Sequence, residues 1–486
     1  MTIVTFVGLY TGRVVLNVLG VQDFGIYNVV GGVVTMLNFL NTSMSAATSR
    51  YITYEMGKNN YDKLQLTFSA ALEVHIIIAI VVFLLAETLG LWFMSTKLVI
   101  PEGRMFAAQC VYQLSIMSTI VSITQVPYNA SILAHEHMNI YAYIEILNAA
   151  LKLGAISILS YGEFDKLILY AFLTFIVSCL IALIYRIYCM RKFNECKFRF
   201  IKDRNIIKPI LAFSSLDLYG NVCGVVRQQG INFLINNYFG VALNAAAGIA
   251  GVVSGVIAGF TGSVSQAFRP AIIKNYAVGN IKNMQNLMIN SVSFSLLLLS
   301  CIAVPVYIEV NYILGFWLGN VPEYANIFTR LLLLTCIPNI VNAVIVTAVH
   351  ATGKIKFMSY ITGTVFLFNV PLLYILYEMK LSVEYSYFSA LFIMLCVTLS
   401  NILIAKYEIP QFSILSFLWK VIKSLFLIMI SAIPSILFTF YMEESFLRVF
   451  LLVITYLLML MVIVYNFVLD VNQRSTIQRS FKTFIL

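Results

Sequence analysis

A chain of 486 residues that is 60% hydrophobic and only 11% charged, with mean hydropathy +0.90, cannot cover itself in water. A soluble fold of this size carries about a quarter charged residues, so lipid is the solvent for much of the surface. The net charge of +10 reads as a cationic collar against anionic lipid and not as a nucleic-acid site.

Apolar stretches of about 20 residues, the length that crosses a ~30 Å hydrocarbon layer, recur from end to end. Ser295–Val304 reads SLLLLSCIAV, without the alternation of a barrel strand, so an all-α polytopic protein is predicted. Fourteen spans are expected, at 1–20, 25–49, 67–93, 105–133, 140–161, 165–190, 210–238, 241–267, 286–312, 326–352, 357–378, 385–406, 420–441 and 446–469. The first is short for a span and begins at Met1 with no basic leader or cleavage site, which leaves its depth and the true start of the chain open. Pro127, Pro305, Pro338, Pro371 and Pro434 fall inside spans and are expected to kink them.

Basic residues gather after even-numbered spans: Arg50, Lys58, Lys63, the run Arg191–Lys208, Lys274, Lys282, Lys354, Lys356, Lys420, Lys423, Arg474, Arg479 and Lys482. Segments after odd-numbered spans hold Lys97, Arg104, Lys166, Lys380 and Arg448, a roughly fourfold bias. The side that retains Lys and Arg is cytoplasmic, so both termini are expected there.

Residues 17–60 match 237–280 at an offset of 220. Asn17/Asn237, Gly20/Gly240, Gly31/Gly251, Ile52/Ile272 and Asn60/Asn280 coincide, as does the pattern Ser43, Ser45, Ala47 against Ser263, Ser265, Ala267. Six spans separate the copies, so they share an orientation: a parallel repeat about an axis normal to the membrane. The chain divides accordingly into a six-helix lobe at 1–190, a basic linker at 191–209, a second six-helix lobe at 210–406, and two further helices with a basic tail at 407–486.

A charge in mid-span needs a partner or a wet cavity. Arg13, Lys152 and Arg227 lie inside the first, fifth and seventh spans, and Arg50 and Arg269 occupy matching places at the ends of the second and eighth. An arginine fork suits phosphate or pyrophosphate, so these residues are candidates for one cationic cavity. The alternatives stay open: backbone-paired or snorkelling arginines, ordinary membrane anchors, and a Lys152–Glu145 pair. The intramembrane acids are Glu73, Glu145, Asp217 and Glu309, and coupling to H+ or Na+ through Asp217 or Glu145 stays open as well. The polar string Asn38, Asn41, Thr42, Ser43, Ser45 and the glycines Gly251, Gly255, Gly259 read first as interhelical packing. His135, His137 and His350 read as incidental. The eight cysteines are scattered without metal-ligand spacing. No phosphate-binding loop, hydrolase elbow or zinc motif is present, and no cofactor is implied.

Residues 9–58 (LYTGRVVLNVLGVQDFGIYNVVGG through ATSRYITYEMGK) and 223–280 (CGVVRQQGINFLINNYFG through AFRPAIIKNYAVGN) resemble the openings of the two lobes in bacterial O-antigen and capsular polysaccharide flippases. These are Wzx-type members of the multidrug/oligosaccharidyl-lipid/polysaccharide (MOP) exporter superfamily. The resemblance implies a bacterial inner-membrane transporter that moves an undecaprenyl-pyrophosphate-linked oligosaccharide to the outer leaflet for surface polysaccharide synthesis. It implies Arg13, Arg50 and Arg227 as headgroup residues and adds weight to Arg269. It also implies a polymerase and a chain-length regulator as partners. An ion-coupled multidrug or cation antiporter of the same superfamily is the rival reading. A membrane polymerase or acyltransferase is weaker still, for want of a large external loop.

Overall fold

Every apolar stretch from the third to the fourteenth expected span forms a helix in the computed structural model. It describes residues 38–96, 103–159, 165–199, 204–319 and 321–468, with isolated positions between 14 and 30. Arg13 and most of the first span, and the tail from 469, lie outside the described residues. Twelve helices are long and apolar enough to cross a membrane, and no strand occurs among the described residues.

In chain order the helices are α1 (Asn38–Gly57), α2 (Tyr61–Leu85), α3 (Leu91–Thr96), α4 (Met105–Ala134), α5 (Met138–Leu159), α6 (Lys166–Lys192), α7 (Arg204–Phe239) and α8 (Val241–Ala277). There follow α9 (Ile281–Ile308), α10 (Val310–Leu318), α11 (Ala325–Thr352), α12 (Lys356–Glu378), α13 (Tyr385–Glu408), α14 (Ile414–Tyr441) and α15 (Phe446–Ile463). A π-turn at Ala86–Gly90 carries α2 into α3. Helices α1, α2 and α4–α6 pack on one another, α7–α9 and α11–α13 pack likewise, and the last pair leans on α9. Phe68, Tyr112 and Tyr185 fill the first group, Phe328 the second, and Tyr456 the seam under the final pair.

The internal repeat is written into the backbone. Helix α1 ends at Gly57 and α8 at Ala277, while α2 starts at Tyr61 and α9 at Ile281, each pair at the same offset. Asn60 accepts a hydrogen bond from the Lys63 amide (3.2 Å) and Asn280 from the Asn283 amide (3.1 Å). These are equivalent N-caps at equivalent places. Gly20 and Gly240 both hold positive φ, at 77° and 85°, which glycine adopts at little cost.

The end of the molecule opposite the basic collar is tied by one guanidinium. Arg104 grips Asp23 with Nε and Nη2 (2.9 and 2.5 Å) and Asp165 with Nη1 (2.5 Å). Asp165 also caps α6 through the amides of Leu167 and Ile168. Burial pushes the Asp165 carboxyl up, but Arg104 and those amides outweigh it and hold it below the ordinary carboxylate value. A carboxyl depressed in the folded state contributes stability that is whole at neutral pH and is lost as pH falls through the carboxylate range, below about 4. Arg104→Met is therefore expected to cost about 1–3 kcal/mol at pH 7. Thermal unfolding in detergent should show that deficit shrinking at pH 3.5.

Candidate functional site

Of the arginines expected to share one cavity, the three that are described, Arg50, Arg227 and Arg269, are distributed over two places. Arg227, on α7, faces a cavity of about 310 Å³ enclosed by α7, α8, α11 and α13. Its polar lining comes from Gln228, Asn232, Ser254, Thr335, Asn339 and Ser386, and no carboxylate is among the lining residues. The guanidinium stands 4.7 Å above the Phe366 ring, and its Nε is buried with no hydrogen-bond partner. A desolvated cation of this kind is costly unless an anion or water meets it. Gly251 and Gly255 line the cavity, and a Cβ at either, or at Gly259, would meet nothing within 4 Å. This corrects the packing reading of these glycines. They leave a space open and do not bring two helices together.

Arg50 and Arg269 lie instead at the basic end of the bundle. Arg50 is buried, donates from Nη2 to the Ala351 carbonyl at 3.3 Å, and stacks on Tyr51 and Tyr54 (4.3 and 4.7 Å). A cation on the last carbonyls of α11 also suits the negative end of that helix. Arg269 sits within electrostatic range of Asp217. Asp217 accepts from Asn221 at 3.0 Å, and its Oδ1 stands 3.3 Å from Nε2 of His350. His350 is thus no incidental residue. It is 3% exposed on α11 and stands beside the Asp217 carboxylate of α7, with neither ring nitrogen in a hydrogen bond, across a sequence distance that no spacing rule covers. Phe213 bridges the network, edge-on to His350 (5.1 Å) and to Tyr51 (6.1 Å).

Lys152 is exposed on α5 and makes no ion pair with Glu145. The two are separated by about two helical turns, roughly 10 Å along the axis, and Glu145 accepts from the Tyr185 hydroxyl at 3.4 Å instead. Glu309, one of the four expected intramembrane acids, is 1% exposed and paired with Arg448 at 2.6 Å. The side chains of Asn38, Asn41, Thr42 and Ser43 are outside the described set.

The two helix groups meet at the basic end. Tyr51 donates to the Pro209 carbonyl at 3.2 Å, and Lys274 pairs with Glu136 at 2.9 Å. A Cβ on Gly57 would stand 3.0 Å from both the Ala277 Cβ and the Lys274 Cα. Gly57→Leu is expected to wedge this seam apart. The check is cysteine labelling from the basic side at Ser254, in the Arg227 cavity: at least about tenfold faster labelling in the Leu variant is the expected result, on the scale of an overpacking penalty of a kcal/mol or more.

A MatE family model matches residues 219–375, about the central third of the chain, and no curated protein sequence matches. Among solved structures, a proline-to-alanine mutant of a MATE protein superposes with TM-score 0.72 at 12% identity, covering 84% of this chain and 95% of that one. An outward-facing multidrug resistance MATE family transporter of the MOP superfamily gives 0.68 at 14% identity, covering 87% and 92%. A MOP superfamily transporter from Pyrococcus furiosus Vc1, whose binding pocket is described as of reverse polarity and suggestive of a different function, gives 0.67 at 14% over the same shares. The chain is an integral membrane protein with the fold of the MATE transporters of the MOP superfamily, and its middle carries the MatE sequence signature.

Proposed function

We propose that this protein exports an anionic amphiphile by alternating access, and that the cargo is a lipid-linked oligosaccharide with a pyrophosphate bridge. The observation that carries the reading is the Arg227 cavity: one unpartnered guanidinium, amide and hydroxyl groups around it, and no acid in the lining. Such a lining suits pyrophosphate oxygens and repels a cationic drug. About 310 Å³ is the small end of ligand cavities, so it takes the phosphates and an adjoining sugar while the rest of the glycan lies between the lobes. In this mechanism the network at the basic end is the gate. When the gate opens on the cytoplasmic side, Arg50 and Arg269 are released to draw the headgroup in. Closure then returns Arg50 to the Ala351 carbonyl, and the isoprenoid tail stays in the bilayer throughout. Arg13 is assigned the matching role in the first lobe.

The rival reading, an ion-coupled multidrug or cation antiporter, is the one the named relatives favour, and Asp217, beside His350, is an intramembrane carboxylate of the kind it requires. One experiment separates the two. Proteoliposomes holding the protein receive a fluorescent pyrophosphate-linked oligosaccharide in one arm and a cationic dye with an imposed proton or sodium gradient in the other. Flipping of the first, with no accumulation of the dye, is expected. Gradient-driven dye transport without flipping sinks the anionic reading. Dependence of either process on pH, abolished by Asp217→Asn, assigns the coupling group.

A further inference from the structure

A second polar cavity, of about 430 Å³, lies at the basic end between α9, α14 and the residues after α15. Asn283, Asn286, Asn290 and Ser293 recur at spacings of three and four along α9, so they share one face. Ser416, Lys420, Lys423, Ser424 and Leu427 do the same along α14, and Phe467 closes one side. Both helices are otherwise apolar enough to cross a membrane. Two polar stripes facing each other at the membrane boundary are costly without a ligand or water to satisfy them.

The lining has two ammonium groups and no carboxylate. Lys423 donates to the Phe467 carbonyl at 3.0 Å, which leaves its other protons free, since an ammonium has three. The floor is closed by the Ser424–Ser293 hydroxyl contact at 3.2 Å. The mouth is held by a reciprocal pair, with Gln285 donating to the Ser413 carbonyl and the Ser413 amide to Gln285. Lys420 begins two turns inside α14, and the exposed Trp419 beside it is the residue type that sits at headgroup depth.

We propose that this cavity is a binding site for a phosphate-bearing anion, with the two lysines neutralising the phosphate and the three asparagines donating to its oxygens and to attached hydroxyls. The occupant is the headgroup of an anionic phospholipid of the leaflet on the basic side, held where the appended helices meet the second lobe. The site is separate from the Arg227 cavity, and its test does not depend on what the protein transports.

The full-length protein in detergent would be exposed to phosphatidylglycerol, to phosphatidylcholine or to inorganic phosphate. Retained lipid would be counted by native mass spectrometry and unfolding temperature followed in parallel. Wild type is expected to retain phosphatidylglycerol over phosphatidylcholine. Lys420→Gln/Lys423→Gln should lose that retention by on the order of tenfold or more, and Lys420→Arg/Lys423→Arg should keep it. Asn286→Leu, which preserves both charges, should weaken retention by less. If inorganic phosphate stabilises wild type as strongly as the lipid and displaces it, the site is a phosphate site whose occupant is the free ion. If the Gln pair binds and melts like wild type in every arm, the proposal is overturned.

Discussion

Arg227→Gln is expected to reduce transport about ten- to a hundredfold while leaving the unfolding temperature unchanged or slightly raised. The loss is the worth of one or two charge-assisted hydrogen bonds to the cargo, about 1.5–3 kcal/mol. The stability follows from the resting site, where the Nε has no hydrogen-bond partner and the guanidinium lies 4.7 Å over the Phe366 ring. Removing a buried, uncompensated cation relieves a desolvation cost and breaks no ion pair. Arg227→Lys keeps the charge but loses the fork, so it should recover only part of the rate. A Gln variant that transports normally, or one that melts early, would place Arg227 in the scaffold and empty the cavity of its role.

Arg448→Met is expected to have the opposite signature, with a large loss of stability on the order of 3–5 kcal/mol and no specific effect on cargo. Arg448 caps the turn before α15 through the Met442 carbonyl at 2.8 Å and holds Glu309 at 2.6 Å. Without it the Glu309 carboxylate is buried and alone at the end of α9. Adding Glu309→Gln should restore much of the loss, because the charge that needed compensation has gone. Unfolding in detergent and the level of each variant in membranes measure both effects. If the double variant is no better than the single one, the arginine acts through packing and its carbonyl bond, not through the acid.

The spans were legible in the sequence because hydropathy reports what lipid requires. Their ends were not, because hydropathy marks the lipid boundary and not the helix terminus. Helix α1 runs on to Gly57 past the expected 49, α8 to Ala277 past 267, and α14 starts at Ile414 before 420. In α1 and α8 turns that carry charged residues continue the helix beyond the apolar stretch, while α14 starts with further, mostly apolar residues, Ile414–Trp419, ahead of Lys420. The repeat was legible through its glycines and asparagines, whose backbone duties tolerate few substitutes. Arg227, Asp217 and Glu309 stood out as charges in apolar surroundings, but the partners of the two acids did not. His350 and Arg448 lie far along the chain from Asp217 and Glu309, and only the fold brings them together. The cavity had a weaker signal still. Thr335 and Asn339 sit at helical spacing on α11, as do Gly251 and Gly255 on α8, a pattern shared with ordinary helix contacts.

The contact between Gly57 and Ala277 carries a consequence for the origin of the molecule. These are equivalent positions of the repeat, and they touch, so the pseudo-two-fold axis passes between them. In an ancestor made of two identical subunits, whatever residue stood there would have faced its own copy. Even a methyl on both sides would stand only 3.0 Å from its duplicate. In a single chain that restriction is absent, since each position can change alone. That this chain carries glycine on one side and alanine on the other is the mark of a joint that still closes as a symmetric one.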